Sequence, residues 1–282
     1  MPSAFVTGAS RGFGRLIVER LAAAGWHVVA GVRDPAATVP YTAGSVDVVP
    51  VDVTSPAEIA AAAAAVERAT GGWLDAVVPN AGVAVVGAFE ETPPEDVRRV
   101  LETNVLGVME TVQAVLPQLR RAHGRVVLIS SDCGIAGAPG LSAYVASKFA
   151  VEGWGEALAY ELEPLGVAVS IIQPGPFATD IWSAAPIRGG EGAYASLTPI
   201  LAAGWRAAGE RAAPADPVAD TVLRALSVRR PRLRYRVGRD ARLMAAARRL
   251  LPSTVMRAHV RRVSGIGRWR PKPEQRQAAA SR

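Results

Sequence analysis

Apolar residues fall in two rhythms along this chain. Short unbroken runs recur at 3–8 (SAFVTG), 28–32, 46–51, 74–78, 126–129 and 167–172, most of them rich in valine or isoleucine. Runs of this length suit strands buried on both faces. Longer stretches with helical character separate them: 15–24, where Leu16, Ile17, Arg20 and Leu21 keep helical spacing, the alanine-rich 56–70, then 94–121 and 144–165. Strands alternating with helices predict an α/β fold, a doubly wound parallel sheet (Rossmann fold) with helices on both faces.

Beyond Thr179 the pattern weakens. Pro186, Gly189, Gly190 and Gly192 mark a loop before helical patches at 199–207 and 217–226. This region, about 180–215, reads as a mobile lid over a substrate. The segment from Arg229 is arginine-rich, broken by Pro252 and loosened by Gly265 and Gly267. The expected organisation is a single catalytic domain over 1–255 and a basic, flexible tail over 256–282, since a chain of this length holds one α/β domain.

Composition narrows the class. Half the residues are hydrophobic and a fifth charged, which is ordinary for a globular protein and excludes global disorder. No apolar run approaches the roughly 20 residues of a membrane-spanning helix, and the N-terminus lacks signal-peptide patterning. A cytoplasmic protein is expected. The single cysteine, Cys133, permits no internal disulfide, and His27, His123 and His259 show no ligand spacing, so no metal site is expected.

Charge is unevenly placed. From Arg229 onward 17 Lys and Arg face two acids, Asp240 and Glu274, whereas the body before them is acidic. Leu243, Leu250, Leu251, Val255 and Val260 offer an apolar stripe beside those arginines, suited to peripheral contact with anionic headgroups. Only Tyr235 and Trp269 are there to stack on bases, so no nucleic-acid partner is expected. Lysine occurs only at 148 and 272, which makes Lys148 informative.

After the first strand comes Thr7-Gly8-Ala9-Ser10-Arg11-Gly12-Phe13-Gly14. Glycines let backbone approach a pyrophosphate, and the helix beginning there aims free N–H groups at it. Asp52-Val53 ends the third strand and Asn80-Ala81-Gly82 the fourth, where ligands of open α/β sheets bind. Asp52 suits the adenine amino group, or alternatively the start of a helix; Asn80 suits cofactor contact or a turn. At the end of the second strand Val32 stands where an acid would select NAD, followed by Arg33, with Arg11 in the glycine loop. Two guanidiniums favour the 2′-phosphate of NADP(H).

The reacting groups lie in Ile129-Ser130-Ser131 and Tyr144-Val145-Ala146-Ser147-Lys148. Tyrosine and lysine four apart share a helix face, so the ammonium is expected to lower the phenol's pKa and to bind the nicotinamide ribose. Ser131 is placed to donate to a substrate oxygen as charge develops.

In order and spacing these motifs resemble the single-domain short-chain dehydrogenases/reductases, from Ser3 to about Thr179. The resemblance implies Tyr144 as proton donor or acceptor, Ser131 as substrate-oxygen partner, Lys148 as ribose and pKa group, and Asn104, in Thr103-Asn104-Val105, as the fourth catalytic position, holding a water that links the lysine to solvent. Pro174-Gly175, Phe177 and Thr179 match the loop beside the nicotinamide. Pro79 and Phe13 depart from frequent family residues without removing a chemical group. Residues 234–240 resemble members grouped with 17β-hydroxysteroid and retinol dehydrogenases. An NADP-dependent ketoreductase or alcohol dehydrogenase acting on a small hydrophobic ketone or alcohol is implied, assembled as a homodimer or homotetramer. The alternative is a non-catalytic NADP(H)-binding protein. The substrate pocket is expected at Cys133, Ile135, Trp182 and Tyr194.

Overall fold

The computed structural model describes residues 1–42 and 44–271. Strands β1 (Ser3–Thr7), β2 (His27–Val32), β3 (Ser45–Pro50), β4 (Ala76–Val78), β5 (Arg125–Ile129), β6 (Ala168–Pro174) and β7 (Arg234–Val237) form one seven-stranded sheet. Its order is β3-β2-β1-β4-β5-β6-β7, and every pairing is parallel. The helices are α1 (Gly12–Ala23), α2 (Pro56–Thr70), α3 (Pro94–Leu101), α4 (Gly107–Ala122), α5 (Ser142–Leu162), α6 (Ile181–Ala184), α7 (Thr198–Glu210), α8 (Asp216–Ser227), α9 (Arg239–Leu250) and α10 (Ser253–Val263).

Alternate strand residues face opposite layers. Val6, Val28, Ala30, Val127 and Ile172 join α1 and α8 in one core cluster. Phe5, Val29, Val77, Leu128 and Ile171 join α2, α4 and α5 in the other. With both faces covered, no position on these strands needs to be polar, which is why the runs are unbroken. The chain builds outward from β1 to β3, then crosses back to β4 on the other side of β1. That reversal leaves a crevice at the C-terminal ends of β1 and β4, where ligands bind in such sheets. Local signals set the flanking helices: Ser55 accepts from the Glu58 N–H at 3.3 Å, Glu58 reaches back to the Asp52 N–H at 2.8 Å, and Gly71 closes α2 at φ 62°.

Three elements differ from the sequence reading. The helix expected over 94–121 is there as continuous helical backbone, but it widens into a π turn at Glu102–Leu106 between α3 and α4. β7 has no apolar run to announce it; it is an edge strand whose Arg234 turns back to Glu152 at 2.9 Å and Glu156 at 2.7 Å on α5. Arginines on an edge also discourage further strand pairing. Finally, the boundary expected at residue 255 falls inside α10. Met256 is buried at 4% exposure, and Trp269 stacks on Tyr194 at 5.9 Å and donates to Ser196 Oγ at 3.1 Å. Ile266 and Trp269 hold the end of the described chain against residues 194–205, where the sequence reading had a flexible tail; 272–282, with Lys272 and Glu274, lie outside the described residues. The region 180–215, expected as a mobile lid, is folded as α6, a turn at Gly192–Tyr194, and α7. Among the described residues no helix is long and apolar enough to cross a membrane.

Candidate active site

The glycine loop follows β1 directly. Gly8 (φ 63°) and Gly12 (φ 56°) occupy the left-handed region that other residues enter at a cost. A side chain on Gly14 would overlap the Gly8 carbonyl oxygen and come within 2.6 Å of Asn80 Nδ2. Asn80 explains this crowding: its Nδ2 donates to the Thr7 and Gly8 carbonyls, each at 3.1 Å, while Thr7 Oγ1 accepts from the Asn80 and Ala81 N–H groups at 3.2 and 3.4 Å. Here the alternative turn-holding role is the one displayed. Asn80 locks the loop, and Ala81 and Gly82 carry the strand end past it.

Arg11 caps α1 in extended conformation with no side-chain hydrogen bond, so the first-turn N–H groups stay open toward the crevice. Ser10, Arg11 and Arg33 are exposed. Neither Arg11 nor Arg33 has a hydrogen-bond or ion-pair partner among the described residues. The Asp34 carboxylate is committed elsewhere, accepting from the Ala36 and Ala37 N–H groups at 3.0 and 3.1 Å. Asp52 accepts from Thr54 N–H and Oγ1 at 2.9 and 2.8 Å; the backbone bond chiefly, with the Arg33 charge adding, holds its carboxyl below the usual range. Val53 is buried in the core, leaving only its backbone toward the crevice.

The opposite wall comes from the end of β6. Gly175 donates to the Val237 carbonyl at 3.0 Å, and Thr179 lies against Gly12, where a Cβ would sit 3.5 Å from its own Cβ. Pro174 is buried. Phe177 packs edge-on against Phe13 at 6.2 Å and is 5% exposed, so it seals the crevice wall from behind.

The reacting groups meet at the end of β5. Lys148 Nζ donates to the Ile129 carbonyl at 2.9 Å and lies 5.6 Å from the Tyr144 ring centre. Asn104, fully buried in the π turn, accepts from Val83 N–H at 2.8 Å, donates to the Val83 carbonyl at 2.8 Å, and donates to Ser147 Oγ at 3.0 Å. Ser147 in turn donates to the Tyr144 carbonyl at 2.7 Å. Asn104 thus ties the β4 exit loop to the turn of α5 that carries Tyr144. Ser131 donates to Asp132 Oδ1 at 2.8 Å and accepts from Cys133 N–H at 3.1 Å.

Burial governs the electrostatics. It pushes the Tyr144 phenol well up, with Cys133 and Asp132 adding and a hydrogen bond with Ser131 opposing. The expected lowering by Lys148 is therefore corrected: desolvation dominates, and the ammonium is turned to a carbonyl. Lys148 itself is drawn down by burial to about 8, against the supporting charges of Cys133 and Glu152. Burial also raises the Asp132 carboxyl and the Cys133 thiol. Tyr144 also borders a third apolar cluster built from Ala84, Val86, Leu197, Leu201 and Trp205, with Trp182, Tyr194 and Trp269 packed on it. Trp182 and Trp205 lie 4.4 Å apart. Cys133 sits at the reacting turn and Ile135 just after it, half-buried. An open groove of about 580 Å³ beside Val145, Phe149 and Val260 contains none of Ser131, Tyr144 or Lys148.

Asp132, Ser147 and the Glu152–Arg234 pair were not foreseen. An acid directly after Ser131 was the available signal for the first; Ser147 lay unremarked inside the Tyr-to-Lys interval; nothing local links Glu152 with Arg234.

Comparison with known proteins agrees with this geometry. Residues 2–187 match the family model described as short chain dehydrogenase, and the chain belongs to that family. It is 33% identical over 264 residues to the uncharacterized oxidoreductase YusZ of Bacillus subtilis, covering 88% of this chain and 93% of that one. It is 34% identical to retinol dehydrogenase 5 of Mus musculus, covering 90% and 86%. The crystal structure of a short-chain dehydrogenase from Streptomyces avermitilis superposes with a TM-score of 0.76 at 31% identity, covering 95% and 97%. The family's oxidoreductases work with nicotinamide dinucleotides. The crevice fits one: the α1 N-terminus is open, Gly8 and Gly12 hold the loop before it in left-handed backbone, and Arg11 and Arg33 are exposed without an ion-pair partner among the described residues.

Proposed function

We propose that this protein is an NADP(H)-dependent carbonyl reductase or alcohol dehydrogenase for a mainly hydrophobic ketone or secondary alcohol. One observation carries the reading: Tyr144 belongs at once to the polar group of Ser131, Asn104 and Lys148 and to the apolar cluster under the lid. A carbonyl seated on that hydroxyl would have its hydrocarbon body among Val86, Leu201 and Trp182. The relative named retinol dehydrogenase points to a substrate of the same character.

When bound, the reduced nicotinamide supplies the hydride. The chain's own residues do the rest. Burial keeps the Tyr144 hydroxyl protonated, so it can hand its proton to the carbonyl oxygen as negative charge forms there. Ser131 adds a second donor once its hydroxyl turns from Asp132 to the substrate. Lys148, held at Ile129, would bind the cofactor ribose. Arg33 and Arg11 would hold the 2′-phosphate, for which no acid competes at Val32. Assembly as a homodimer or homotetramer belongs to the same proposal, with Leu106 and Phe149 among the exposed apolar residues left for a partner.

Turnover of a ketone panel with NADPH and NADH tests the reading. Tyr144→Phe should abolish turnover and leave cofactor affinity within about twofold, because only the acid/base hydroxyl is deleted. A variant retaining more than a tenth of the rate would remove Tyr144 from this role.

A further inference from the structure

Ten arginines lie between Arg236 and Arg270 against one acid, Asp240. None of the ten forms a salt bridge among the described residues, whereas Arg15, Arg20, Arg99, Arg121, Arg188 and Arg234 in the body all do. The unpaired charge is organised. On α9 six of the eight exposed residues, Arg239, Arg242, Leu243, Ala246, Arg249 and Leu250, fall on one helical face opposite buried Ala241, with Asp240 and Arg248 off it. Leu243 is 57% exposed and Leu250 76%. Leu251, next along the chain, is exposed too, and on α10 Met256 is buried while Val255, Arg261 and Arg262 are exposed.

A merely solvated charged face gives no reason for aliphatic side chains projecting through it. Nucleic acid would want exposed aromatics, yet Trp269 is engaged on Tyr194. Guanidiniums interleaved with protruding leucines match an anionic lipid interface, where phosphates meet the charges and the aliphatic ends enter the acyl boundary.

We propose that the α9–α10 hairpin is a docking surface for an anionic phospholipid bilayer. The chain leaving this hairpin places Ile266 and Trp269 on the apolar cluster beside Tyr144, so the lipid-facing element and the cover of that cluster are continuous. Docking stands on the hairpin alone and does not depend on the proposed catalysis.

The full chain is sedimented with vesicles of phosphatidylglycerol and phosphatidylcholine, or of phosphatidylcholine alone, at low and high salt. Binding should require phosphatidylglycerol and fall steeply with salt. Arg239→Glu with Arg242→Glu and Arg249→Glu should abolish it; Leu243→Ser with Leu250→Ser, both at exposed positions, should weaken it at least tenfold with the melting curve unchanged. A folded wild type that ignores anionic vesicles at low salt overturns the proposal. So does binding that the leucine substitutions leave intact, because general charge attraction would then account for it.

Discussion

Asn80 offers the sharpest test of how the nucleotide loop is held. Asn80→Ala removes two donated hydrogen bonds, to the Thr7 and Gly8 carbonyls at 3.1 Å each. At about 1 kcal/mol per bond, and somewhat more if the carbonyls are left unpaired, the loss is about 2–3 kcal/mol. In a domain of this size that lowers the melting temperature by roughly 5–10 °C. NADPH affinity should fall only about tenfold, because the loop loses order while Gly8, Arg11 and Arg33 remain. Thermal unfolding without cofactor and fluorescence titration with NADPH give the two numbers. An unchanged melting temperature together with a hundredfold loss of affinity would refute the clamp and make Asn80 a direct cofactor ligand.

Arg33→Ala should weaken NADPH binding about 10- to 150-fold, since a charge-assisted contact is worth about 1.5–3 kcal/mol, and leave NADH nearly unchanged; titration with both cofactors decides it. Lys148 is charged below about pH 8 in the folded chain and below about 10.5 when unfolded, so the unfolded state binds more protons between these values. Cofactor affinity should therefore fall as pH rises past 8, while stability of the cofactor-free chain rises across the same window, measured by urea unfolding at a series of pH values. Asp132→Asn should erase the fall in reduction rate as pH rises through the raised Asp132 pKa, because an ionised Asp132 draws the Ser131 proton away from substrate; an unaltered pH–rate profile would exclude that coupling.

The middle of the sheet was legible because its central strands are buried on both faces, as the unbroken run 126–129 is, whereas edge strand β3, expected to be buried likewise, is mostly exposed. The crevice was legible for a different reason: Gly8 and Gly14 are required by close backbone approaches, and Gly12 by its left-handed backbone. What escaped is what depends on distant partners. β7 carries arginines because Glu152 and Glu156, some 80 residues earlier, receive one of them. Residues 256–271 look like tail until Met256 and Trp269 are seen to have apolar neighbours. The rise in the Tyr144 pKa needs the degree of burial, which spacing along a helix does not report.

The π turn at Glu102–Leu106 makes helix length, and not only helix composition, part of the site. It accommodates one residue more than regular α pitch would. Deleting a single residue there would let the turn close to regular α pitch with α3 and α4 kept in phase, so Val100 would hold its core position. Asn104 alone would be carried around the axis, away from Val83 or Ser147. The exposed residues of α3 are free to vary in kind, but the count between Val100 and Gly107 is not free to change.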